Sequence, residues 1–220
     1  MELSTAFPPF GVRIEAGPVV LRPITDDVLP GLIELALGGI HEPERMPFST
    51  PWTDAPATEL PFNFVQYHWG LRTGWSRKRW TLEFAVEYEE RLAGTQGIMT
   101  SDYLVTRTGE TGSWLGREFH GQGIGTAMRQ AICAFCFDHL DAEEITSAAF
   151  ADNPASNAVS RKVGYVANGV RRAVRREGEW HPSQQLLLTP DAFRRGEPIT
   201  VTGVEAFRMF IGLDAASAPA

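Results

Sequence analysis

A glycine-rich segment that runs directly into a predicted helix is the feature that most constrains this chain. Residues 115–140, LGREFHGQGIGTAMRQAICAFCFDHL, place Gly121, Gly123 and Gly125 at the start of that helix. Glycine lets backbone N–H groups approach a phosphate without an intervening Cβ, and a helix N-terminus attracts negative charge. The sequence therefore predicts an anion site at residues 121–126. An apolar stripe should pack the helix on a sheet: Ile124, Met128, Ile132 and Phe135.

Three ligands fit such a segment: a nucleoside triphosphate, a dinucleotide, or the pyrophosphate of coenzyme A. A P-loop needs a Lys before its Ser or Thr, and no Lys precedes Thr126. A dinucleotide fingerprint needs a third small residue where Thr126 stands, and an acidic residue about 20 positions on. The next strand ends only near Asp152. A nucleotide-dependent oxidoreductase remains an alternative, and it predicts NAD binding.

Composition excludes several classes of protein. The chain has 220 residues, a net charge of −7 and 43% hydrophobic residues, which is typical of one globular domain. An acidic chain is a poor general nucleic-acid binder, because phosphate contacts need clustered Lys and Arg. No apolar run reaches 18 residues and MELSTAFPPFGV does not resemble a signal peptide. We expect a cytoplasmic protein with no membrane or nucleic-acid partner.

The two cysteines and the basic runs have ordinary interpretations. Cys133 and Cys136 fall mid-helix among apolar residues, so we predict buried thiols rather than a redox or metal site. No metal is expected. The runs RKR (77–79) and RRAVRR (171–176) are predicted to be solvated, although one of them could meet an anionic ligand.

The order of predicted elements indicates a mixed α/β fold in one domain, residues 1–220. Periodicity and turn residues define the elements. In chain order they are a strand at Val19–Arg22, an Asp-capped helix at about Val28–Leu37, a loop at Gly39–Pro56, a helical segment within 58–80, a hairpin at 80–99, a strand near Thr111–Leu115, a helix to Leu140, a strand at about Ile145–Ala151, a helix from Asn153 to Gly164, and two strands around REGEW.

Two motifs carry a family resemblance. SWLGREFHGQGIGTAMRQAI (113–132) followed by DNPASNAVSRKVGY (152–165) resembles the GNAT superfamily of acyl-CoA N-acyltransferases, and most closely its Rim-type ribosomal-protein N-acetyltransferases. The family signature has Arg or Gln where this chain has His120. The resemblance spans about 19–193, leaves a tail at about 194–220, and implies a mostly antiparallel sheet with a central splayed strand pair, flanked by helices.

The resemblance also implies where an acyl-CoA donor binds. Its pantetheine arm would lie between the strand ending at Trp114–Leu115 and the strand ending near Ala151. Its pyrophosphate would rest on the N–H groups of Gly121 to Thr126, and Asn153 would bond the pantetheine amide. The implied donor-binding residues are Trp114, Leu115, His120, Gly121, Gln122, Gly123, Ile124, Gly125, Thr126, Asn153 and Ser156.

In this family the amine attacks the thioester directly in a ternary complex, which calls for a base and an acid. The tyrosine acid of many members is replaced by Ser160. The Rim-type branch is thought to use a Ser three residues after the Asn, so the resemblance implies Ser156 as the acid, with a local helix hydrogen bond as the alternative. Glu110, expected just before the central strand, is the predicted base. Other base candidates, each equally readable as a surface residue, are His41, Glu42, Glu44 and Glu83.

The substrates are less constrained. The donor is expected to be acetyl-CoA or, with a cation near the acyl end, succinyl-CoA; Arg72, Arg79 and Arg107 are available. The acceptor would be a small-molecule or peptide amine, in a pocket from 39–56 and 69–80 walled by Phe48, Trp52, Trp69 and Trp75. EAFRMFIGL in the tail suggests a homodimer contact or packing on its own core. A non-catalytic acyl-CoA sensor is the alternative function.

Overall fold

The fold is built around one open nine-stranded sheet. The computed structural model describes residues 1–214. The strands are β1 (Arg13–Ala16), β2 (Val19–Pro23), β3 (Arg79–Tyr88), β4 (Arg91–Ser101), β5 (Thr108–Leu115), β6 (Glu144–Phe150), β7 (Val166–Arg176), β8 (Glu179–Leu188) and β9 (Ile199–Thr202). The helices are α1 (Leu3–Ala6), α2 (Leu29–Leu37), α3 (Leu60–Thr73), α4 (Tyr103–Thr106), α5 (Ile124–His139), α6 (Pro154–Val163) and α7 (Val204–Ile211).

The sheet has the order β7-β8-β6-β5-β4-β3-β2-β1-β9. Every neighbouring pair is antiparallel except β5 and β6, which are parallel. The prediction of a mixed, mostly antiparallel sheet flanked by helices is therefore confirmed. A parallel pair needs a crossover, and here the crossover contains α5, the helix that follows the glycines.

Helices cover both faces of the sheet. On one face α5 and α7 complete the main core, in which Phe84, Ile98, Phe135 and Phe207 are fully buried. The predicted stripe of α5 is buried as expected, because its four residues recur at helical spacing. On the other face α2 and α3 form a second core around Leu32, Phe64 and Ala85.

Most predicted elements are found, with local corrections. The residue before α2 is Val28, which has no capping side chain, so the predicted Asp cap is wrong. Asp27 accepts a hydrogen bond from Thr25 instead. Glu110 lies inside β5 rather than before it, because that strand starts three residues earlier than the apolar pattern indicates. Asn153 and Gly164 end α6 as predicted.

The tail contributes to the sheet. β9 pairs with β1, with Arg13 opposite Thr202, and α7 buries Val204, Phe207 and Ile211. The apolar tail segment thus packs on its own core, which was one of its two interpretations; a homodimer stays a prediction. The sequence DAASAPA (214–220) predicts a disordered segment; its residues 215–220 lie outside the described part of the chain.

Candidate active site

The central parallel strands diverge and open a cleft. β5 and β6 pair only from Thr108 opposite Glu144 to Thr111 opposite Ser147, although both strands continue. Gly116 donates its N–H to Ala93 on the β4 side. Since backbone groups alternate along a strand, the carbonyl of the preceding residue, Leu115, faces the cleft. An extended ligand could therefore pair with β5 there as an added strand.

His120 organises the open end of that cleft. Its ring Nε2 lies 3.1 Å from the Leu115 carbonyl oxygen. The Trp114 side chain points to the opposite face, with its ring 5.8 Å from the Trp52 ring and 6.3 Å from the Phe64 ring. Of the predicted donor residues, Trp114 thus directs its indole to another part of the site, and its carbonyl oxygen lies on the β4 side, 2.1 Å from a Cβ built on Gly94.

The glycines form a cradle at the start of α5. Gly121 has φ of 76° and Gly123 has φ of 84°, and a Cβ built on either would meet no atom within 4 Å. Within residues 1–214, the N–H groups of 121–125 have no protein acceptor. Thr126 differs, because its N–H donates to the Gly123 carbonyl at 2.9 Å. The backbone and the space therefore fit a diphosphate at residues 121–125.

The start of α6 closes the other side of the cradle. The Asn153 Oδ1 accepts the Ser156 N–H at 3.1 Å and caps the helix. A Cβ on Gly125 would lie 3.4 Å from Val159 Cγ2, so α5 and α6 pack within van der Waals contact at this point. The Ser156 hydroxyl lines the cavity and makes no hydrogen bond within the described residues, which leaves it available to a ligand.

One cavity of about 1350 Å³ joins this cleft to the other face of the sheet. That volume is large enough for two substrates, since a drug-sized ligand fills roughly 300–1000 Å³. The part on the far face is aromatic, and adjacent rings lie within 6 Å of each other. Its walls include Phe48, Trp52, Phe64, Tyr67 and Trp114.

The residues predicted to wall an acceptor pocket lie in different parts of the molecule. The loop at 39–56 does form a wall through Phe48 and Trp52. Trp69 instead lies outside the cavity and donates its indole N–H to Asp26 at 3.1 Å. Trp75 packs in the core against Trp80, with ring centroids 5.7 Å apart. Trp69 lies on α3, and helical spacing alone does not say which face of a helix is buried; Trp75 follows the end of α3. Neither ring lines the cavity walled by Phe48 and Trp52.

The loop at 39–56 is fastened to the rest of the site by charged and polar contacts. Asp54 pairs with Arg176 of β7 at 2.7 Å, and Glu42 pairs with Arg117 at 3.0 Å. His41 lies 2.7 Å from the Thr53 hydroxyl. His41 and Glu42 therefore hold the loop in place, which weakens both as base candidates; Glu44 is an exposed residue of the same loop.

Glu83 lies at the inner end of the aromatic part. It sits opposite Gly97 on β4, and Gly97 sits opposite Gly112 on β5. A Cβ on Gly97 would come within 2.4 Å of Glu83 Oε1, so the carboxylate occupies space that only glycine leaves. A Cβ on Gly112 would meet nothing within 4 Å. An open trough thus runs across the sheet from Glu83 to the cleft.

Burial changes the acid–base properties of this end of the cavity. Burial raises the pKa of Glu83 to about 8, because an ionised carboxylate loses its hydration. Burial, with a smaller contribution from Arg72, lowers the pKa of His68 to about 4. Burial and then the charge of Glu83 raise the pKa of Tyr67. Near neutral pH, Glu83 is therefore the group here that can exchange a proton.

Glu110 has a different environment. It is exposed on β5, opposite Met99, at the edge of the same cavity. Both carboxylates thus border the cavity, but Glu110 is exposed whereas Glu83 is half-buried. From the sequence, Glu83 is one of several base candidates. The two glycines that leave space for its carboxylate are brought beside it by strand register, which the sequence does not show.

Arg129 is the residue of this site that sequence reasoning missed. It lines the cavity from α5 and is only 4% exposed. Its helix positions i+3, i+4 and i+7 are Ile132, Cys133 and Cys136, all fully buried. An Arg on that apolar stripe was therefore a signal in the sequence for a buried cation.

The remaining motifs have simple roles. Burial raises the pKa of Cys133 to about 11 and raises that of Cys136 well above its usual value, as expected of inert thiols. In the RRAVRR run Arg175 contacts Asp152, and Arg172 stacks on Trp180 at 3.6 Å. Residues 1–214 contain no cluster of three potential metal ligands and no helix with the length and apolarity to span a bilayer.

A splayed parallel pair, a glycine cradle and a cavity through the sheet together define an acyl-CoA-binding fold. The model of the acetyltransferase (GNAT) domain matches residues 19–166. The chain therefore belongs to the GNAT acetyltransferase family, as the two sequence motifs predicted.

Particular relatives point to the Rim-type branch. The ribosomal N-acetyltransferase candidate YdaF of Bacillus subtilis (strain 168) is 30% identical over 91 residues, which are 41% of this chain and 49% of YdaF. The match thus spans about half the length of that curated relative. Because the stretch is short, it supports the branch and leaves the activity to be proposed.

Solved structures agree on the fold. RimL, a ribosomal L7/L12 α-N-protein acetyltransferase in complex with coenzyme A, has a TM-score of 0.65 at 20% identity, covering 80% of this chain and 97% of RimL. Mycobacterium smegmatis RimJ in complex with CoA-disulfide has a TM-score of 0.63 at 20% identity, covering 84% and 88%. At this identity the likeness shows the fold alone.

Proposed function

We propose that this protein is an acyl-CoA-dependent N-acyltransferase that acts in a ternary complex. One observation carries the proposal: the glycine cradle and the half-buried Glu83 open onto the same cavity from opposite faces of the sheet. A donor held at the cradle and an amine entering from the aromatic side would meet at the cleft between β5 and β6. The donor is acetyl-CoA or succinyl-CoA.

The transfer step conserves atoms and charge. The amine nitrogen attacks the thioester carbon, forming a C–N bond, and the C–S bond then breaks with its electron pair going to sulfur. The nitrogen gives one proton to a base and the thiolate receives one from an acid. The products are an amide and the free thiol of coenzyme A.

We assign the base role to Glu83 and keep Glu110 as the alternative. A general base works best when its pKa lies near the operating pH, and burial brings Glu83 to about 8. Glu83 also faces the trough over Gly97 and Gly112 that leads to the cleft. Ser156 remains the proposed acid, since its hydroxyl faces the cavity at the start of α6.

The acceptor is proposed to be a primary amine with an apolar neighbour, such as a peptide N-terminus. The aromatic walls favour apolar contact, and the RimL neighbour is described as acting on the α-amine of a ribosomal protein. A small-molecule amine stays possible in chemical terms. We further propose that the protein is cytoplasmic and acts without a metal, and the homodimer stays a prediction.

Calorimetric titration tests the donor site. Acetyl-CoA and succinyl-CoA should bind the wild-type protein, and Gly123→Glu should abolish binding, because its carboxylate would enter the cradle. Gly178→Glu is the matched control: Gly178 has φ of 74° and open space around it, but it lies in the β7–β8 turn and does not line the cavity. It carries the same backbone strain and should bind normally.

Two further readouts separate the alternatives. Thiol release with a panel of peptide and small amines should accompany binding; binding without thiol release under any amine would instead identify a non-catalytic sensor. NADH is titrated in parallel. NADH binding in place of CoA binding, or CoA binding that survives Gly123→Glu, would contradict the proposed function.

A further inference from the structure

Arg129 is a buried cation whose protein partners are all neutral. Its Nε donates to Gln96 Oε1 at 3.2 Å, its Nη1 to the Ser147 hydroxyl at 3.1 Å, and its Nη2 to the Ser113 hydroxyl at 2.9 Å. A guanidinium has five N–H donors, so two remain beyond these three. The ion pairs found within residues 1–214 do not include Arg129.

The position of this cation is as informative as its burial. Ser113 belongs to β5 and Ser147 to β6, and Ser147 is in the last pair that joins the two strands. The guanidinium therefore spans the two strands where they begin to separate. This is the inner end of the cleft, whereas the cradle at Gly121 and Gly123 lies at its outer end beyond Leu115. An extended donor held by the cradle would point its acyl end toward Arg129.

The surroundings of Arg129 supply no compensating charge. Two titratable groups face Arg129: Cys133 on α5 and Tyr165 just after the end of α6. Burial raises the pKa of both groups, so both are neutral near pH 7. Glu83 projects from the opposite face of the sheet, where Gly97 gives it space. A buried charge is unfavourable unless it is paired, so this site favours an anion that arrives with the ligand.

We propose that Arg129 binds the terminal carboxylate of the acyl group, and that the preferred donors are CoA thioesters of short dicarboxylic acids, of which succinyl-CoA is the type. The inference rests on the proposed function and selects among its donors. A guanidinium bonds a carboxylate through two parallel N–H groups, and Arg129 has two N–H groups beyond its protein bonds. Transfer then follows the step described above and leaves a succinylated amine.

A structural role for Arg129 makes a different prediction. If the guanidinium only ties Gln96, Ser113 and Ser147 together where the strands separate, it should affect stability and leave donor preference unchanged. The two roles are therefore distinguished by selectivity, which a purely structural clamp does not alter.

The first measurement uses the wild-type protein with three donors. Acetyl-, butyryl- and succinyl-CoA are compared by thiol release with one saturating peptide amine. Butyryl-CoA is the matched donor, because it has the same four carbons as succinyl-CoA and lacks the carboxylate. We expect kcat/KM for succinyl-CoA to exceed that for butyryl-CoA by about 100-fold or more, since a site built for a polar group rejects the analogue that lacks it.

The second measurement uses Arg129→Met, which keeps an unbranched side chain and removes the charge. The succinyl-to-butyryl ratio of kcat/KM should fall by about 30-fold or more, and Arg129→Lys should restore part of it, since Lys keeps the charge but loses the bidentate geometry. Arg195→Met is the control: Arg195 pairs with Asp138 at 2.6 Å on the surface, and its substitution should leave the ratio unchanged.

The outcomes separate this inference from the proposed function. Equal use of butyryl- and succinyl-CoA by the wild-type protein, or a succinyl preference that survives in folded Arg129→Met, would overturn the inference alone. Failure of every CoA thioester to bind would overturn both. If Arg129→Met does not fold, the wild-type ratio still decides, because it needs no variant.

Discussion

The two ends of the cavity are built in different ways. The donor end consists of consecutive backbone groups, residues 121–125, with one cap at Asn153. The acceptor end consists of side chains from distant segments: Phe48 and Trp52 from a loop, Phe64 and Tyr67 from α3, and Glu83 from β3. The first presents hydrogen-bond donors in open space; the second presents aromatic surface around one shielded carboxylate.

This difference separates the part of the site that would bind every CoA thioester from the parts that would select the acyl group and the amine. A cradle of glycine N–H groups binds any CoA thioester, because the diphosphate is the same whatever the acyl group. In the proposed function, specificity comes from the side chains: Arg129 for the acyl group, and the aromatic walls with Glu83 for the amine. Substitutions at the donor end should change affinity for all donors, whereas substitutions at the acceptor end should change turnover and choice of amine.

Glu83→Gln should have the largest effect on turnover. Loss of a general base reduces kcat by about 100- to 1000-fold, which corresponds to about 3–4 kcal/mol of transition-state free energy. CoA affinity by calorimetry should change little, because Glu83 is on the amine side. The ratio of wild-type to variant kcat/KM should rise about tenfold per pH unit up to about pH 8 and then level off, following ionisation of Glu83.

Using this ratio cancels the ionisation of the amine itself, which is the same in both measurements. Glu110→Gln is the matched control, since Glu110 borders the same cavity but is exposed. A loss of comparable size in Glu110→Gln, with a flat ratio for Glu83→Gln, would transfer the base role to Glu110.

The same substitution should stabilise the fold in a pH-dependent way. The pKa of Glu83 is about 8 in the folded protein against 4.5 for the free side chain. Below pH 4.5 Glu83 is protonated in both the folded and the unfolded protein, so the substitution brings no gain in stability there. As pH rises from 4.5 to 8 the unfolded chain ionises while the folded protein must retain its proton, so the wild-type protein loses stability and Gln does not.

We expect Glu83→Gln to raise the free energy of unfolding on the order of 2 kcal/mol at pH 8.5, which is a rise in Tm of roughly 4–8 °C. The gain should vanish near pH 4. Thermal denaturation followed by circular dichroism at a series of pH values measures it. An equal gain at every pH would mean that the carboxylate is solvated in the folded protein.

Substitutions of Asn153 should have the smallest effect on stability and binding, and they test the donor end of the cavity. Asn153→Ala removes the cap of α6 and should cost about 1 kcal/mol of stability. Asn153→Asp keeps an acceptor for the Ser156 N–H and should keep that stability. If the amide also donates to pantetheine, both variants should weaken CoA binding by about tenfold. CoA affinity that follows stability alone would limit Asn153 to capping.

The contrast between the two ends also explains which parts of the fold and of the site could be predicted from the sequence. The cradle, α5 and the Asn153 cap rest on local or consecutive residues, so they could be predicted from the sequence; the divergence of the strands was implied by the family resemblance. Glu83 could not be selected over Glu110, because its space depends on Gly97 and Gly112 being brought into register across three strands. The four-residue strands β1 and β9 were missed because neither is long enough to show alternation.

The pairing of β9 with β1 has a consequence for how the protein folds. Arg13 and Thr202 are opposite each other in the sheet, although they lie near opposite ends of the chain. Contacts between such distant positions form slowly, and β9 is synthesised long after β1, because most of the described residues lie between them. Until it arrives, β1 presents an unpaired edge that could recruit another strand. A nascent or C-terminally shortened chain should therefore depend on chaperones more than the finished protein does.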